Sequence, residues 1–261
     1  MVGSSFTDWQ LLSKQSFIGL NNYLKIFSED GTFYKAALNT IIWVVLQATV
    51  HVAIGVTLAL ILSKKEFYWK FVRTVYFIPN IISGAALGML YLTITNPQYG
   101  MINSLIKNIG FRNFDHNWFF DYNTAFFTVT MTWLPYAAVV TILCLAEISS
   151  IPDSLIESAK IDGAGSIRID LSIVLPMLRN IVGTCVIIAA TSMLQNFATI
   201  YMTTNGGPDI ETTNLPLYIY KVSMLENNYG YANALGTLVT IMGVAIILII
   251  QRSFRMGQSD L

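Results

Sequence analysis

Charge is the scarcest commodity in this chain of 261 residues. Only 11% of its residues are Asp, Glu, Lys or Arg, 15 of each sign, against about 25% in an ordinary soluble domain. With net charge zero and no basic cluster interleaved with aromatics, nothing in the sequence suggests nucleic acid as a partner. Cysteine is nearly absent as well. Cys144 and Cys185 each sit inside an apolar run, where a thiol acts as a small buried hydrophobe, so neither a disulfide nor a zinc site is expected. The two histidines, His51 and His116, stand alone: His51 suits helix packing and His116 an exposed loop, and together they make no metal site. A phosphate-binding G-x-x-x-x-G-K-[ST] loop is missing, which excludes ATP binding by this chain in the P-loop manner. Serines occur without a convincing histidine and acid, and Gly163-Ala164-Gly165-Ser166 lacks the strand-to-helix setting of a nucleophile elbow. No catalytic residue and no cofactor is therefore assigned.

What the chain has in abundance is apolar surface. Hydrophobic residues make up 54% of it, and the mean hydropathy is +0.57. A bilayer needs about 20 apolar residues per crossing helix, and five segments qualify: roughly 38–62, 72–94, 125–146, 173–201 and 232–250. The expected fold is an all-α polytopic membrane helix bundle. Basic residues crowd one set of loops: Lys64, Lys65, Lys70 and Arg73 after the first span, Lys160, Arg168 and Arg179 around residues 149–173, and Arg252 with Arg255 after the last. The opposite, longer loops hold Lys14, Lys25, Lys35, Lys107, Arg112 and Lys221 at lower density, which puts the first set in the cytoplasm. The organisation that follows is an external N-terminal segment (1–36), a transmembrane domain (37–252) and a cytoplasmic tail (253–261).

Residues 151–178, IPDSLIESAKIDGAGSIRIDLSIVLPML, interrupt this pattern with polar sequence. Ser150 and Asp153 have the S-x-x-D spacing of a helix start, with Pro152 in the first turn. The helix should stop at Asp162-Gly163, since glycine tolerates the left-handed conformation that ends a helix, and a second helix should follow Gly165. Glu157, Ala159, Asp162, Gly163, Ala164 and Leu175-Pro176 resemble the E-A-A---D-G-A---------L-P signature of permease subunits in ATP-binding-cassette importers; Ser158 stands at the position usually occupied by alanine. The resemblance implies that Glu157, Ser158, Ala159, Asp162, Gly163 and Ala164 dock on a separate ATPase.

Other segments extend the likeness: Gly19-Leu20-Asn21-Asn22-Tyr23, Leu38-Asn39-Thr40, residues 96–103 NPQYGMIN, Trp133-Leu134-Pro135, residues 204–208 TNGGP, Tyr218-Ile219-Tyr220 and residues 230–234 GYANA. The order resembles the first permease of maltose- and glycerol-phosphate-type carbohydrate importers. Such a protein works with a second homologous permease, two cytoplasmic ATPase subunits that use the ATP, and an external solute-binding protein, in a bacterial plasma (inner) membrane whose lipid surrounds its several spans. In that family a transmembrane helix precedes the segment resembling residues 5–23, so the chain is expected to lack the family's first helix; five native spans with an interfacial N-terminal stretch is the other reading.

The spans hold almost no ionisable group apart from His51, which favours a neutral solute such as a sugar. Gln47, Asn80, Thr132, Tyr136, Gln195 and Asn196 are the polar candidates for its pathway. Thr132 and Tyr136, four apart, would share a helix face. Gln195-Asn196-Phe197 resembles the sugar-contacting N-N-F segment of maltose-type permeases at Asn196, not at Gln195. Each of these residues could equally bond a neighbouring helix. A secondary transporter or channel for a small neutral solute is the alternative function, and a purely structural scaffold a third.

Overall fold

In the computed structural model, which describes residues 1–11, 15–64 and 69–254, every extended element is α-helical apart from short 3-10 and π turns. Lys14, Lys65, Arg255 and the tail beyond residue 254 lie outside the described residues. The helices are α1 (Asn21–Ser28), α2 (Gly31–Ser63), α3 (Trp69–Ile81), α4 (Gly84–Ile94), α5 (Met101–Asn108), α6 (Ala125–Met131), α7 (Ala138–Ile148), α8 (Asp153–Ile161), α9 (Ser166–Met177), α10 (Arg179–Met193), α11 (Ala198–Thr203), α12 (Leu215–Tyr220) and α13 (Tyr229–Phe254). Two of them, α2 and α13, are alone long and apolar enough to cross a bilayer; the count reaches five when each bent pair is taken as one span. At 33 residues α2 is about 50 Å long, so it begins seven residues before the expected span and runs past the hydrocarbon core.

Most spans are broken, which periodicity did not reveal. The expected third span divides into α6 and α7 around Thr132–Ala137, and the expected fourth into the end of α9, α10 and α11, with a 69° bend at Leu178 and a break at residues 194–197, while Ile82 and Ser83 separate α3 from α4. Ser83 caps α4, its hydroxyl accepting from the Ala86 N–H at 3.3 Å.

The chain divides into two compact units. The first comprises Met1–Val44, Ile82–Trp133 and Ser192–Ala245. Its core gathers Ile26 and Phe33 with Leu215, Val222, Tyr231 and Leu235. Asp30 organises this region. One carboxylate oxygen caps α2 by accepting from the Phe33 N–H at 2.9 Å, and the other accepts the phenols of Tyr218 (2.5 Å) and Tyr231 (2.6 Å). Burial, with that carboxylate alongside, pushes the Tyr218 phenol up, so it remains a donor. The TNGGP turn is more than a loop. Thr204, Thr212, Thr213 and Asn214 are all buried, Thr204 and Thr212 share a 2.6 Å hydrogen bond, and Asn39 of α2 donates to the carbonyls of Glu211 and Thr213 at 2.8 Å each.

The second unit comprises Val45–Ile81, Leu134–Thr191 and Ile246–Leu261. Here α2 and α7 approach until no side chain fits between them. A Cβ placed on Gly55 would lie 2.6 Å from the Val140 Cβ, and the Thr141 hydroxyl reaches the Gly55 carbonyl at 3.1 Å. Cys144 and Cys185 are both buried free thiols in this unit. Replacing Gly55 by Leu should force the two helices apart at a cost of about 1–3 kcal/mol. The expected outcome is a lower thermal midpoint and poorer monodisperse yield in detergent, with Gly55→Ala intermediate; a parent-like Gly55→Leu protein would refute the close contact.

Candidate functional site

The polar interruption folds as helix, turn, helix, but its beginning is not the expected one. Ser150 does not cap α8: its hydroxyl donates back to the Glu147 carbonyl at 2.7 Å, closing the end of α7. Pro152 takes the cap position and Asp153 the first helical one, so the S-x-x-D spacing straddles two helices. The chain turns by 77° between α7 and α8.

The end of α8 follows the expected chemistry closely. Gly163 has φ +80°, its N–H bonds the Lys160 carbonyl at 3.0 Å, and the Ala164 N–H bonds the Ala159 carbonyl at 2.9 Å. This is the two-bond Schellman ending, in which Ala159 and Ala164 occupy the pair of positions that normally touch. Both alanines accordingly turn inward, against a core of Ile151, Ile169, Val174 and Leu178. Half-buried there, they let the turn sit close on its own core. Facing outward are Glu157, Ser158, Asp162 and Gly163, and with them Leu155, Ile161 and Ile167. Ile161 is 86% exposed. These three large apolar residues, on an otherwise hydrated loop, are the docking candidates that motif reasoning missed; their signal was their off-period position on α8 and α9. Ser158 donates its hydroxyl to the Ser154 carbonyl at 2.8 Å, so its oxygen is left to act as an acceptor only.

Behind the loop, Lys64 at the end of α2 pairs with Asp170 at 2.8 Å, in the π turn within α9. A cavity of about 610 Å³ lies alongside, lined by Leu62, Trp69, Leu145, Ile156, Lys160 and Asp170 among others.

The polar span residues fall into two groups. In the second unit, the break before α7 leaves carbonyls bare, and side chains cover them: His51 Nδ1 meets the Leu134 carbonyl at 2.9 Å, the Tyr76 hydroxyl donates to the Pro135 carbonyl and accepts from the Ala137 N–H, and Asn80 donates to the Tyr136 carbonyl at 3.0 Å. His51 and Asn80 are thus helix-bonding residues. Thr132 and Tyr136 share no helix face, because Pro135 and the turns around it end α6 at Met131. Thr132 is fully buried, its hydroxyl donating to Val129 at 2.6 Å. His116 is half-buried, not exposed, with Nε2 2.9 Å from the Thr124 hydroxyl.

The second group is under-committed. Asn196 lies in the break between α10 and α11, not in a continuous span. Its backbone carbonyl accepts from Asn214 at 2.6 Å, whereas its own amide reaches, among the described residues, only the Met193 sulfur at 3.5 Å. Gln195 beside it is exposed. Gln47 Oε1, at the start of the π turn in α2, and Trp133 Nε1 are buried without a hydrogen-bond partner among the described residues. Turns of π-helix are frequent at functional sites.

A membrane bundle with broken spans, a hydrated helix-turn-helix on the basic side and unspent polar groups in its apolar region is the build of a transport permease. The chain belongs to the family of binding-protein-dependent transport system inner membrane components, which matches residues 51–256. It is 31% identical over 261 residues to the probable ABC transporter permease protein YurN of Bacillus subtilis, covering 98% of this chain and 89% of that one. The multiple sugar-binding transport system permease protein MsmF of Streptococcus mutans is 31% identical over 253 residues, covering 95% and 86%. In fold it is similar to a chain of a bacterial ABC transporter involved in the import of the acidic polysaccharide alginate, with a TM-score of 0.86 and 23% identity over 99% of this chain and 89% of that one.

Removing an unpaired buried polar group leaves nothing orphaned behind. Replacing Trp133 by benzothienylalanine, which keeps the bicyclic shape and lacks the N–H, should therefore leave the thermal midpoint in detergent unchanged or raise it, by the equivalent of about 1 kcal/mol. A drop of similar size would reveal a bond at Nε1.

Proposed function

We propose that this chain is the membrane-spanning permease of an ATP-driven importer that carries a sugar or oligosaccharide across a bacterial inner membrane. Hydrolysis takes place on two cytoplasmic ATPase subunits, a second homologous permease completes the channel, and an external binding protein delivers the solute. The observation that carries the reading is the loop from Ile151 to Leu178: a rigid turn, seated on its own core through Ala159 and Ala164, that holds Glu157, Asp162 and three bare aliphatic side chains outward. An apolar cluster ringed by charge is the build of a protein-docking patch. Membership of a binding-protein-dependent family supports the external partner, and the name of MsmF supports a sugar.

In this reading the loop converts the ATPase's motion into tilting of α7 and α9. Glu157 and Asp162 supply charge-assisted contacts at the rim, and Leu155, Ile161 and Ile167 supply the apolar centre. The neutral cargo fits an apolar region whose free polar groups are amides and an indole: Asn196 and Gln195 at one break, Gln47 and Trp133 elsewhere. Of the other residues proposed for the pathway, Thr132 is fully buried with its hydroxyl donating to Val129, and Tyr136 is half-buried beside the break before α7.

Two experiments test the reading. Gly163 is in open space, so a larger side chain there meets no clash and acts only through its backbone. Gly163→Val should cost about 1–2 kcal/mol in the left-handed conformation and weaken ATPase co-purification by roughly tenfold, while Gly163→Asn should retain most of it. Equal behaviour of the two variants would remove the turn from the docking surface.

For the pathway, Asn196→Leu keeps the carbonyl bond to Asn214 and deletes only the amide. Sugar uptake in whole cells should fall by about tenfold or more, as expected for one or two lost hydrogen bonds, with complex yield unchanged. Parallel loss of both would make Asn196 a packing residue, and full uptake would take it off the pathway.

A further inference from the structure

Two short helices of the first unit, α1 and α5, are not spans, yet each has its apolar stripe on the outside. In α1 the inward residues are Asn22 and Ile26. The Asn22 amide donates to the carbonyls of Ser5 (2.8 Å) and Thr7 (3.1 Å). On the opposite side Leu20, Leu24 and Phe27, spaced four and three apart, point away from the protein; Leu24 is 64% exposed where Ile26 is fully buried. In α5 the inward residue is again an asparagine. Asn103 donates to the His116 carbonyl at 2.9 Å and accepts from the Trp118 indole at 2.7 Å, while Met101, Leu105 and Ile109 form the outer row. The two helices are some 80 residues apart in sequence and use the same inverted arrangement, polar anchor in and aliphatic row out.

We propose that α1 and α5 lie in the outer interface of the bilayer, their aliphatic rows among the lipid headgroups and upper acyl chains. The occupant follows from continuity. Tyr34, Leu38, Ile41 and Val45 form one exposed row on α2, which crosses the membrane, and the Tyr34 hydroxyl donates to the Phe27 carbonyl at 2.7 Å. The row on α1 therefore continues an exposed row of a helix long and apolar enough to cross the bilayer. Around α5, Phe111, Phe120 and Tyr122 are exposed, as aromatics are at a membrane–water boundary, and the same stretch carries the basic side chains of Lys107 and Arg112. A water-facing surface would have the opposite polarity. The inference needs only that α2 spans the bilayer; it holds whatever solute is carried.

The test uses the intact transporter with its partner subunits in lipid nanodiscs. Leu24→Cys and Leu105→Cys are each labelled with bimane, with the parent, whose two cysteines are buried, as background. Nanodiscs contain lipid spin-labelled either high or low on the acyl chain. The shallow label should quench both sites roughly threefold or more above a Glu29→Cys control and more strongly than the deep label does, with the order reversed at Ile241→Cys within α13. Quenching no greater than at Glu29 overturns the proposal. So does quenching that appears only in the isolated chain and vanishes on assembly, because the face would then belong to a protein partner.

Discussion

Everything distinctive in this protein follows from one constraint: a peptide group freed from its helix in an apolar medium must be given another partner. Several of the crossing segments are interrupted, and at the breaks near Pro135 and Asn196 a side chain from elsewhere in the same unit takes over the hydrogen bond. His51, Tyr76 and Asn80 do so around Pro135, and Asn214 does so at Asn196. Many of the other polar side chains in the helices, such as Thr40, Thr49 and Thr237, donate to a carbonyl one turn back in their own helix. Very few are left over, and those few define the candidate pathway.

Close approach is the second constraint, and glycine and threonine meet it together. Gly55 lets α2 and α7 touch, and Thr141 turns the contact into a hydrogen bond to the Gly55 carbonyl. The same pairing recurs in the first unit, where Gly88 of α4 lies against Thr199 and Thr203 of α11. In lipid there is no hydrophobic drive between helices, so such small-residue seams supply much of the cohesion that an aliphatic core supplies in water.

The turn at Asp162-Gly163 was legible in sequence because glycine at a helix end has a single dominant use, and the structure repeats it bond for bond. The all-helical membrane fold was legible from hydropathy, and its kind from an ordered series of motifs. The breaks were not. A run such as residues 125–146 remains apolar through Thr132–Ala137, and hydropathy measures partition, not hydrogen bonding. Nor could a motif say which way its residues face: Ala159 and Ala164 belong to the turn's own closure, and the outward aliphatic residues Leu155, Ile161 and Ile167 vary in their helical phase. Ser150 misled for a related reason, since a serine at the end of one helix looks the same in sequence as one at the start of the next. The asparagines of α1 and α5 and the threonine knot at residues 204–213 depend on partners distant in sequence, beyond any local pattern.

Asn214 serves two elements at once. One side chain starts α12 by accepting from the Leu217 N–H at 3.1 Å, and with its other atom holds the Asn196 carbonyl at 2.6 Å. The turn before α12 and the unwound point between α10 and α11 are thereby joined as two ends of a single rigid amide, with no intervening helix to bend and absorb a displacement. A push on the turn is delivered to the break in full, or the bond parts and a carbonyl is stranded. Such a joint has no slack, and it transmits force in either direction.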